Sequence, residues 1–231
     1  MFTGLVEEVG TLARLDRLGP SALVTIQCKL GAASPLALGE SVSVAGVCLT
    51  VTRATGDGFT ADVSAETLAK TTLGQLGLPS KVNLERAMVL GGRMGGHVVL
   101  GHVDGAGRVV DVTAAGEARR VTFETGRDLA RYLAQKGAIC VDGVSLTVNG
   151  VTDTDGAVRF DVMLVPHTLA MTTLPSLTKG SLVNLEIDIF ARYVERHLGL
   201  LGREPKATDR DRDSSDADQR LLETLRRAGL A

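Results

Sequence analysis

Five side chains in this sequence are of types that can carry out polar chemistry on a small molecule. The Cys48 thiol becomes a strong nucleophile when its pKa is lowered, and the His102 imidazole exchanges protons near neutral pH. Ser41, Lys136 and Asp142 can orient a nucleophile or stabilise developing charge. Each also has a structural explanation: a buried thiol, a histidine bonded to a backbone carbonyl, a solvent-facing serine or a surface ion pair. The elements that position these residues therefore decide between the two.

The chain contains the same series of segments twice, in the same order. The pairs are GLVEEVG at 4–10 with GHVDGAG at 101–107, AGVCLTV at 45–51 with DGVSLTV at 142–148, ETLAKTTL at 66–73 with HTLAMTTL at 167–174, and VNLE at 82–85 with VNLE at 183–186. The first two pairs are offset by 97 residues and the last two by 101, which places four extra residues between Val148 and Phe160. Such self-similarity indicates a duplicated domain, and we expect the copies to span 1–97 and 98–190.

Both copies are rich in short runs of Val, Thr and Ile that are interrupted by Gly, Asp-Gly and Pro. The pattern is typical of about six short antiparallel strands per copy. Strands this closely spaced close into a barrel or pack as a sandwich, and six short strands favour the barrel. The predicted fold class is all-β, with two tandem six-stranded antiparallel Greek-key barrels.

Helical patterns are few. Short apolar-periodic stretches in ETLAKTTLGQLG and HTLAMTTLPSLTKG predict one helix in each copy, and TGRDLARYLAQKG has N-cap chemistry and a stop glycine. A C-terminal oligomerisation helix is predicted over 191–201, within a stretch whose apolar residues follow one side of a helix: Ile189, Tyr193, Val194, Leu198 and Leu201. The highly charged residues 202–231 are predicted to be a disordered tail.

Composition excludes several classes of protein. Lys and Arg total 25 against 27 Asp and Glu, so there is no basic excess for nucleic acid. No apolar run approaches the roughly 18–20 residues of a membrane span, and the N-terminal residues do not resemble a signal peptide, so we expect a soluble, cytoplasmic protein. The spacing of Cys28, Cys48 and Cys140 favours reduced thiols. His97 and His102 lie an odd number of residues apart, on opposite faces of a strand, so no metal site is predicted.

The sequence is identified as a member of the riboflavin synthase family by six motifs within about the first 195 residues: MFTGLVEEVG, GVCLTVT, VNLERA, GGHVVLGHVDG, KGAICVDGVSLTV and VNLEID. The resemblance implies a homotrimer assembled by the C-terminal helix, with each site between the first barrel of one subunit and the second barrel of a neighbour. The implied reaction needs no cofactor: two molecules of 6,7-dimethyl-8-ribityllumazine give riboflavin and 5-amino-6-(ribitylamino)pyrimidinedione. Lumazine synthase is the implied protein partner.

The resemblance also implies roles for the five polar residues. His102 carries the proton of the donor's 7-methyl group, and Cys48 adds to C7 of the acceptor or assists water there. Ser41 activates or orients that nucleophile, while Lys136 and Asp142 hold the pyrimidinedione ring or the ribityl chain as a pair. His97 is given a structural or supporting role, and Glu85 and Glu186 are either binding or structural residues.

Substrate-binding segments follow from the same motifs, which match in pairs along the two copies. They are Gly4, Leu5 and Val6; Cys48, Leu49 and Thr50; Asp62, Val63, Ser64, Ala65, Glu66 and Thr67; Gly101, His102 and Val103; Lys136; Ser145, Leu146 and Thr147; and Met163, Leu164, Val165, Pro166, His167 and Thr168. The chain departs from the family at Ala45, where Asn is common, and at Ser64-Ala65, where Met-Pro is common.

Two other functions remain open on these residues. A lumazine-binding antenna protein of the same fold would hold a chromophore without turning it over, but such relatives have lost the catalytic groups that are present here. A flavin-handling oxidoreductase would need a nicotinamide site, and no GxGxxG motif follows a strand and opens a helix in this chain. The sequence therefore favours the enzyme.

Overall fold

The computed structural model describes residues 1–201, of which Met1–Arg192 form one compact unit containing two closed barrels. The strands of the first barrel are β1 (Glu8–Leu18), β2 (Ser21–Gln27), β3 (Ser41–Val44), β4 (Val47–Thr55), β5 (Gly58–Val63) and β6 (Ser80–Arg86). Those of the second are β7 (Gly105–Ala115), β8 (Ala118–Gly126), β9 (Ala138–Val141), β10 (Val144–Thr154), β11 (Ala157–Leu164) and β12 (Leu182–Ile187). The α-helices are α1 (Ala65–Lys70), α2 (Pro166–Met171) and α3 (Ile189–Leu201).

The two barrels have the same strand order. It runs β1-β2-β5-β4-β3-β6 in the first and, in cyclic order, β7-β8-β11-β10-β9-β12 in the second, and every pairing is antiparallel. Each strand of the second barrel thus has the place of the strand six numbers earlier. The prediction of two duplicated six-stranded barrels is confirmed, and closure leaves neither barrel with an unpaired edge.

The four extra residues of the second copy lengthen one hairpin. Strands β10 and β11 have 11 and 8 residues, whereas their equivalents β4 and β5 have 9 and 6. Each strand of the hairpin is therefore two residues longer, with an Asp155-Gly156 turn at its tip. The insertion extends a hairpin end and leaves the closed strand order of the barrel unchanged.

Alternation along the strands fills both barrels with aliphatic and aromatic side chains. Strand β2 buries Ala22, Val24 and Ile26, and the intervening residues face outward. In the second barrel Phe123 and Phe160 stack with their ring centroids 5.3 Å apart. The interiors are therefore packed cores, so a ligand can bind only on the outer faces.

Two tight turns meet where the barrels touch: Ala45-Gly46 between β3 and β4, and Asp142-Gly143 between β9 and β10. All four residues have positive φ, between 46° and 81°, as a type I′ hairpin turn requires. A methyl group added to Gly46 would lie 2.8 Å from the Gly143 nitrogen, and the converse distance is the same. Because these glycines are equivalent residues of the two copies, an approximate twofold axis passes between them.

The segment that precedes each barrel crosses to the other barrel. Phe2 and Val99, which are also equivalent residues, pair as an antiparallel bridge through N–H···O bonds of 2.7 and 3.0 Å. Further along the chain, Val6 packs against the core of the second barrel and Val103 against the core of the first. The two halves are interlocked around the axis rather than joined only by their connection.

The helix predictions have a mixed outcome. Helices α1 and α2 form where the repeated TLA motifs predict them, and the Ser64 hydroxyl caps α1 by accepting from the Thr67 N–H. The α-helix expected in TGRDLARYLAQKG is wrong, because only Arg127–Tyr132 is helical there, as a 3-10 helix. In α3 the apolar side chains of Tyr193, Val194 and Leu198 are exposed. Residues 202–231, predicted to be a disordered tail, lie outside the described residues.

Within residues 1–201, the helices are all too short or too polar to cross a membrane.

Left-handed backbone at Ala45 predicts a stabilising substitution. Ala45 has φ 48°, which costs an alanine about 1–2 kcal/mol and an asparagine less. Its equivalent Asp142 accepts a hydrogen bond from the Asn184 N–H at 2.7 Å, and an asparagine in place of Ala45 can accept the Asn83 N–H in the same way. We expect Ala45→Asn to raise the free energy of unfolding by about 1 kcal/mol in urea titrations. Ala45→Ser is the control, since serine is polar without the left-handed preference; equal stability of the two variants would contradict the argument.

Candidate active site

Cys48 lies in a cavity of about 360 Å³ on the outer face of the first barrel. The thiol is partly exposed, whereas Cys28 and Cys140 are buried, and burial raises the pKa of both those thiols. The other lining residues come from the start of β4, from α1 with the residue after it, and from the segment before β7: Val47, Glu66, Thr67, Lys70, Thr71, Gly101, His102 and Val103. A histidine encoded in the second half of the sequence therefore lines the same pocket as the thiol of the first half.

A close backbone contact holds the His102 segment against Cys48. The Cys48 N–H donates to the Gly101 carbonyl at 2.9 Å, and Gly101 has a φ of 77°. A methyl group added to Gly101 would lie 2.5 Å from the Cys48 Cβ, so the approach is open only to glycine. This contact brings the next residue, His102, to the rim of the thiol pocket.

The second barrel repeats this contact with different side chains. The Ser145 N–H donates to the Gly4 carbonyl at 2.8 Å, and a methyl group added to Gly4, at φ 75°, would lie 2.6 Å from the Ser145 Cβ. Ser145 thus stands where Cys48 stands in the first barrel, and Leu5 stands where His102 does. The two sites share a backbone frame and differ in the groups that can react.

Two buried carboxylates hold the crossing segments in place. Glu85 accepts from the Thr3 N–H and hydroxyl at 2.6 Å and from the Gly4 N–H at 2.9 Å. Glu186 accepts from the N–H groups of Leu100, Gly101 and His102 at 2.6–2.9 Å. Burial raises the pKa of both carboxyls, and the hydrogen bonds oppose that shift. These glutamates therefore position the segments that carry Leu5 and His102, which is the structural one of their two predicted roles.

Sequence reasoning missed a pair of asparagines that clasp the barrels together. The Asn83 amide donates to the Asp142 carbonyl at 2.9 Å and accepts from the Thr173 N–H at 2.8 Å. The Asn184 amide donates to the Ala45 carbonyl at 2.8 Å and accepts from the Thr72 N–H at 2.7 Å. Each amide therefore bonds to the opposite barrel in both of its contacts. The signal was present, because the same polar residue recurs in both VNLE strands and a buried amide needs partners.

Asp142 lies at the contact between the barrels. Its carboxylate accepts from the Asn184 N–H at 2.7 Å, and its own N–H donates to the Asn184 carbonyl at 2.9 Å. Burial is the main cause that raises its pKa to about 7, and the hydrogen bond from Asn184 opposes it. Asp142 follows β9 whereas Lys136 precedes it, so the structure sets them at opposite ends of that strand and does not pair them within one chain.

Ser41 and Lys136 both lie at strand starts. Ser41 begins β3 and pairs with Thr50 of β4. Two residues further along β3, Ser43 pairs with Cys48, and Ser41 and Ser43 share the outward face of the strand. Lys136 is exposed and has φ 70°, and its N–H donates to the Val148 carbonyl at 2.8 Å, as the N–H of its equivalent Gly39 donates to Val51. A lysine in a conformation typical of glycine is a strained position of the kind found at functional sites.

The remaining predicted binding residues fall into two groups. Four turn their side chains into a barrel core and can meet a ligand only through the backbone: Leu49, Val63, Leu146 and Leu164. The others lie on outward faces or around the starts of α1 and α2: Thr50, Asp62, Ser64, Ala65, Glu66, Thr67, Thr147, Met163, Val165, Pro166, His167 and Thr168. This second group stays a set of candidates for contact with a ligand.

His97 and His102 lie at different sites, but not because they are on opposite faces of a strand, as predicted. The segment between them is not a strand; its one β-type contact is the bridge at Val99. It crosses from one half to the other, so that His102 lines the Cys48 pocket while His97 Nδ1 lies 2.7 Å from the Ser145 Oγ. Each histidine thus belongs to a different barrel's site.

Comparison with known proteins agrees with the duplicated domain. The family model described as lumazine binding domain matches residues 3–87 and 100–188. The riboflavin synthase of Actinobacillus pleuropneumoniae is 46% identical over 198 residues, which cover 86% of this chain and 90% of that protein. This chain belongs to the riboflavin synthase family. The riboflavin synthase of Bacillus subtilis (strain 168) is 41% identical over 198 residues, with 86% and 90% covered.

Solved structures of LumP have a fold similar to that of this chain. The crystal structure of LumP complexed with 6,7-dimethyl-8-(1'-D-ribityl) lumazine has a TM-score of 0.71 and 25% identity, and the match covers 80% of this chain and 98% of that one. LumP complexed with riboflavin matches with a TM-score of 0.70 and 26% identity, covering 81% and 99%. The duplicated barrels are therefore common to the riboflavin synthase family and to LumP.

The raised pKa of Asp142 predicts a pH-dependent stability. Folded protein binds the Asp142 proton more tightly than unfolded protein does, so stability falls as the pH rises from about 4 to about 7. An asparagine in its place would keep the acceptor for Asn184 and tolerate φ 46° without a charge. We expect Asp142→Asn to match the wild type near pH 4 and to exceed its free energy of unfolding by up to about 4 kcal/mol above pH 7.

Denaturant titrations from pH 4 to 8 measure this difference. Asp155→Asn is the matched control, because Asp155 also precedes a turn glycine but is exposed. A constant difference between Asp142→Asn and wild type across this range would show that Asp142 does not titrate there.

Proposed function

We propose that this protein catalyses the riboflavin synthase reaction. Two molecules of 6,7-dimethyl-8-ribityllumazine react; the donor gives up a four-carbon unit and leaves as 5-amino-6-(ribitylamino)pyrimidinedione, and the acceptor becomes riboflavin. The observation that carries the proposal is the pair of equivalent sites, each built from one barrel and the segment that crosses from the other half. Equivalent backbone frames suit two copies of one ligand.

Positioning is the largest catalytic contribution that we infer. Holding two reactants in register can lower a barrier by about 7–11 kcal/mol, because their translational and rotational freedom is lost on binding. Gly4 and Gly101 let the crossing segments lie directly against Ser145 and Cys48, which gives both sites the same backbone frame for a ring. The shared frame therefore supplies ring binding, and the side chains that differ supply the chemistry.

The thiol pocket supplies the groups for addition and proton transfer. His102 takes or returns a proton at the bound ring, and Cys48, which lines the same cavity, adds to C7 of the acceptor or orients water toward it. Ser41 orients that nucleophile from the adjoining strand. Because Lys136 and Asp142 flank opposite ends of β9, we assign them to separate contacts with the ligand rather than to one ion pair.

An anaerobic assay tests the function. Purified protein is incubated with 6,7-dimethyl-8-ribityllumazine alone, without any cofactor, and both compounds are followed by absorbance. One riboflavin for every two lumazines consumed supports the synthase. Tight binding of unchanged lumazine would instead make the protein an antenna-type binding protein of the same fold, and the catalytic roles would fail together.

Variants of the thiol pocket separate the roles of its two reactive groups. We expect His102→Gln to lower kcat by about 10²-fold, as loss of a proton carrier does, and Cys48→Ala to lower it by about tenfold or more. Cys28→Ala is the matched control, since that thiol is buried in the barrel core away from the pocket. Full activity of Cys48→Ala would rule out the thiol as nucleophile and leave water in that role.

We also propose that the protein is a cytoplasmic homotrimer assembled through α3, and that lumazine synthase is its partner. Support for assembly comes from the helix itself, where Tyr193, Val194 and Leu198 expose a continuous apolar surface. A trimer would place the first barrel of one subunit beside the second barrel of another. Two lumazines bound on outer faces could then meet.

Charge on the apolar side of α3 tests the assembly. We expect Leu198→Glu to turn the trimer into monomers in analytical ultracentrifugation and to lower activity with it, because an unpaired charge in an apolar interface is costly. Arg196→Glu introduces the same side chain two residues away, which is about 200° around the helix from Leu198, and serves as the control. A trimer that persists in Leu198→Glu would place the interface elsewhere.

A further inference from the structure

Each of the two sites has its own histidine, and the two histidines come from unrelated places in the duplicated sequence. In the first barrel, His102 lies directly after Gly101 and lines the Cys48 pocket. The equivalent residue in the second barrel is Leu5, which cannot exchange a proton or donate a hydrogen bond from its side chain. His97, from the connection between the barrels, reaches the second site instead, through Ser145.

Two contacts fix His97 against the second site. Its Nδ1 lies 2.7 Å from the Ser145 Oγ, and its backbone N–H donates to the Thr3 carbonyl at 3.1 Å. The preceding glycine allows this approach, because a methyl group on Gly96 would lie 2.0 Å from the Thr3 carbonyl oxygen and 2.9 Å from the Ser145 Cβ. The imidazole is therefore held on Ser145 by the same crossing segment that carries Gly4.

The surroundings of His97 bear on the protonation of its ring and on the hydrogen bond to Ser145. Burial lowers the pKa of His97, while the charge of Asp188 opposes that shift, so the ring is neutral at pH 7 and carries one proton. The Nε2 atom is buried without a hydrogen-bond partner among the described residues. Either tautomer leaves Nε2 unsatisfied, because a proton there lacks an acceptor and a bare nitrogen there lacks a donor. With the proton on Nδ1, the ring donates to the Ser145 oxygen.

We propose that His97 is a positioning residue for the second lumazine: it donates from Nδ1 to the Ser145 Oγ and so directs the Ser145 hydroxyl hydrogen toward the ligand. Because the serine oxygen is occupied by His97, its O–H is free to donate to a ring carbonyl or ring nitrogen. The same hydroxyl without His97 can rotate toward any neighbouring acceptor. The inference rests on the proposed function, since it requires a lumazine at the second barrel.

Kinetics of four variants test the proposal: His97→Leu, His97→Asn, Ser145→Ala and the double variant His97→Leu/Ser145→Ala. Steady-state kcat and KM are measured anaerobically with 6,7-dimethyl-8-ribityllumazine, and lumazine affinity and stoichiometry by fluorescence titration. We expect His97→Leu and Ser145→Ala each to lower kcat/KM about tenfold and the double variant to be no worse than the poorer single one. His97→Asn should recover activity to within about threefold of wild type, because its side-chain N–H can take the place of Nδ1–H.

The outcomes distinguish this role from a purely structural one. Losses that multiply in the double variant, or a lack of rescue by His97→Asn at unchanged thermal stability, would overturn the proposal. Ser145→Ala removes a single oxygen, so it tests the role of His97 even if His97→Leu does not fold. An unchanged kcat/KM in Ser145→Ala, with two lumazines bound at wild-type affinity, would overturn the proposal. Ser21→Ala, on β2, is the matched serine control. A wild-type protein that makes no riboflavin would refute the proposed function. An active wild type whose His97 and Ser145 variants keep the wild-type kcat/KM would refute only the role of His97.

Discussion

The candidate sites depend on the hydrogen bonds that cross between the two barrels. The Gly4 and Gly101 carbonyls each accept a backbone N–H from the opposite barrel, and the Asn83 and Asn184 amides bind across in both directions. Neither barrel therefore contains a complete site, because the residue next to each crossing glycine comes from the other half of the chain. Interlocking of the halves is what places His102 beside Cys48.

Polar groups at this contact select one arrangement of the barrels. Apolar surfaces gain free energy from burial in many relative orientations, whereas a buried amide or carboxylate left without its partners costs about 1–3 kcal/mol or more. The two asparagines have their partners only when the halves are related by the approximate twofold axis. Glu85 and Glu186 each hold the crossing segment of their own half in the position that this arrangement requires. The glycines on that axis have no room for a side chain, so the arrangement is defined by sterics as well.

Duplication explains the frame, and divergence explains the chemistry. The turn at Ala45-Gly46 and the turn at Asp142-Gly143 share one backbone conformation, yet one carries a methyl group and the other a carboxyl. Gly39 and Lys136 likewise share a left-handed conformation that is natural only for the glycine. At Lys136 the second half has thus accepted backbone strain where it gains an ionisable side chain, and at Asp142 it has a carboxyl on a conformation that is left-handed in both halves. It is at such positions that two identical ligands would be treated differently.

The sequence by itself determined the two barrels, their six strands each and the place of the inserted residues, because these depend on local alternation, turn glycines and a repeat that can be read at a constant offset. It also identified Cys48 and Ser145, and Leu5 and His102, as equivalent residues of the two copies, since equivalent positions follow from that offset. It did not assign His97 to Ser145, bring His102 to Cys48 or reveal the asparagine clasp. Those contacts join residues 48 to 139 positions apart, and no local pattern encodes which surfaces of two similar barrels meet. Only the packing of the halves around the axis decided them, because steric fit at the glycines and satisfaction of buried polar groups are properties of the assembled fold.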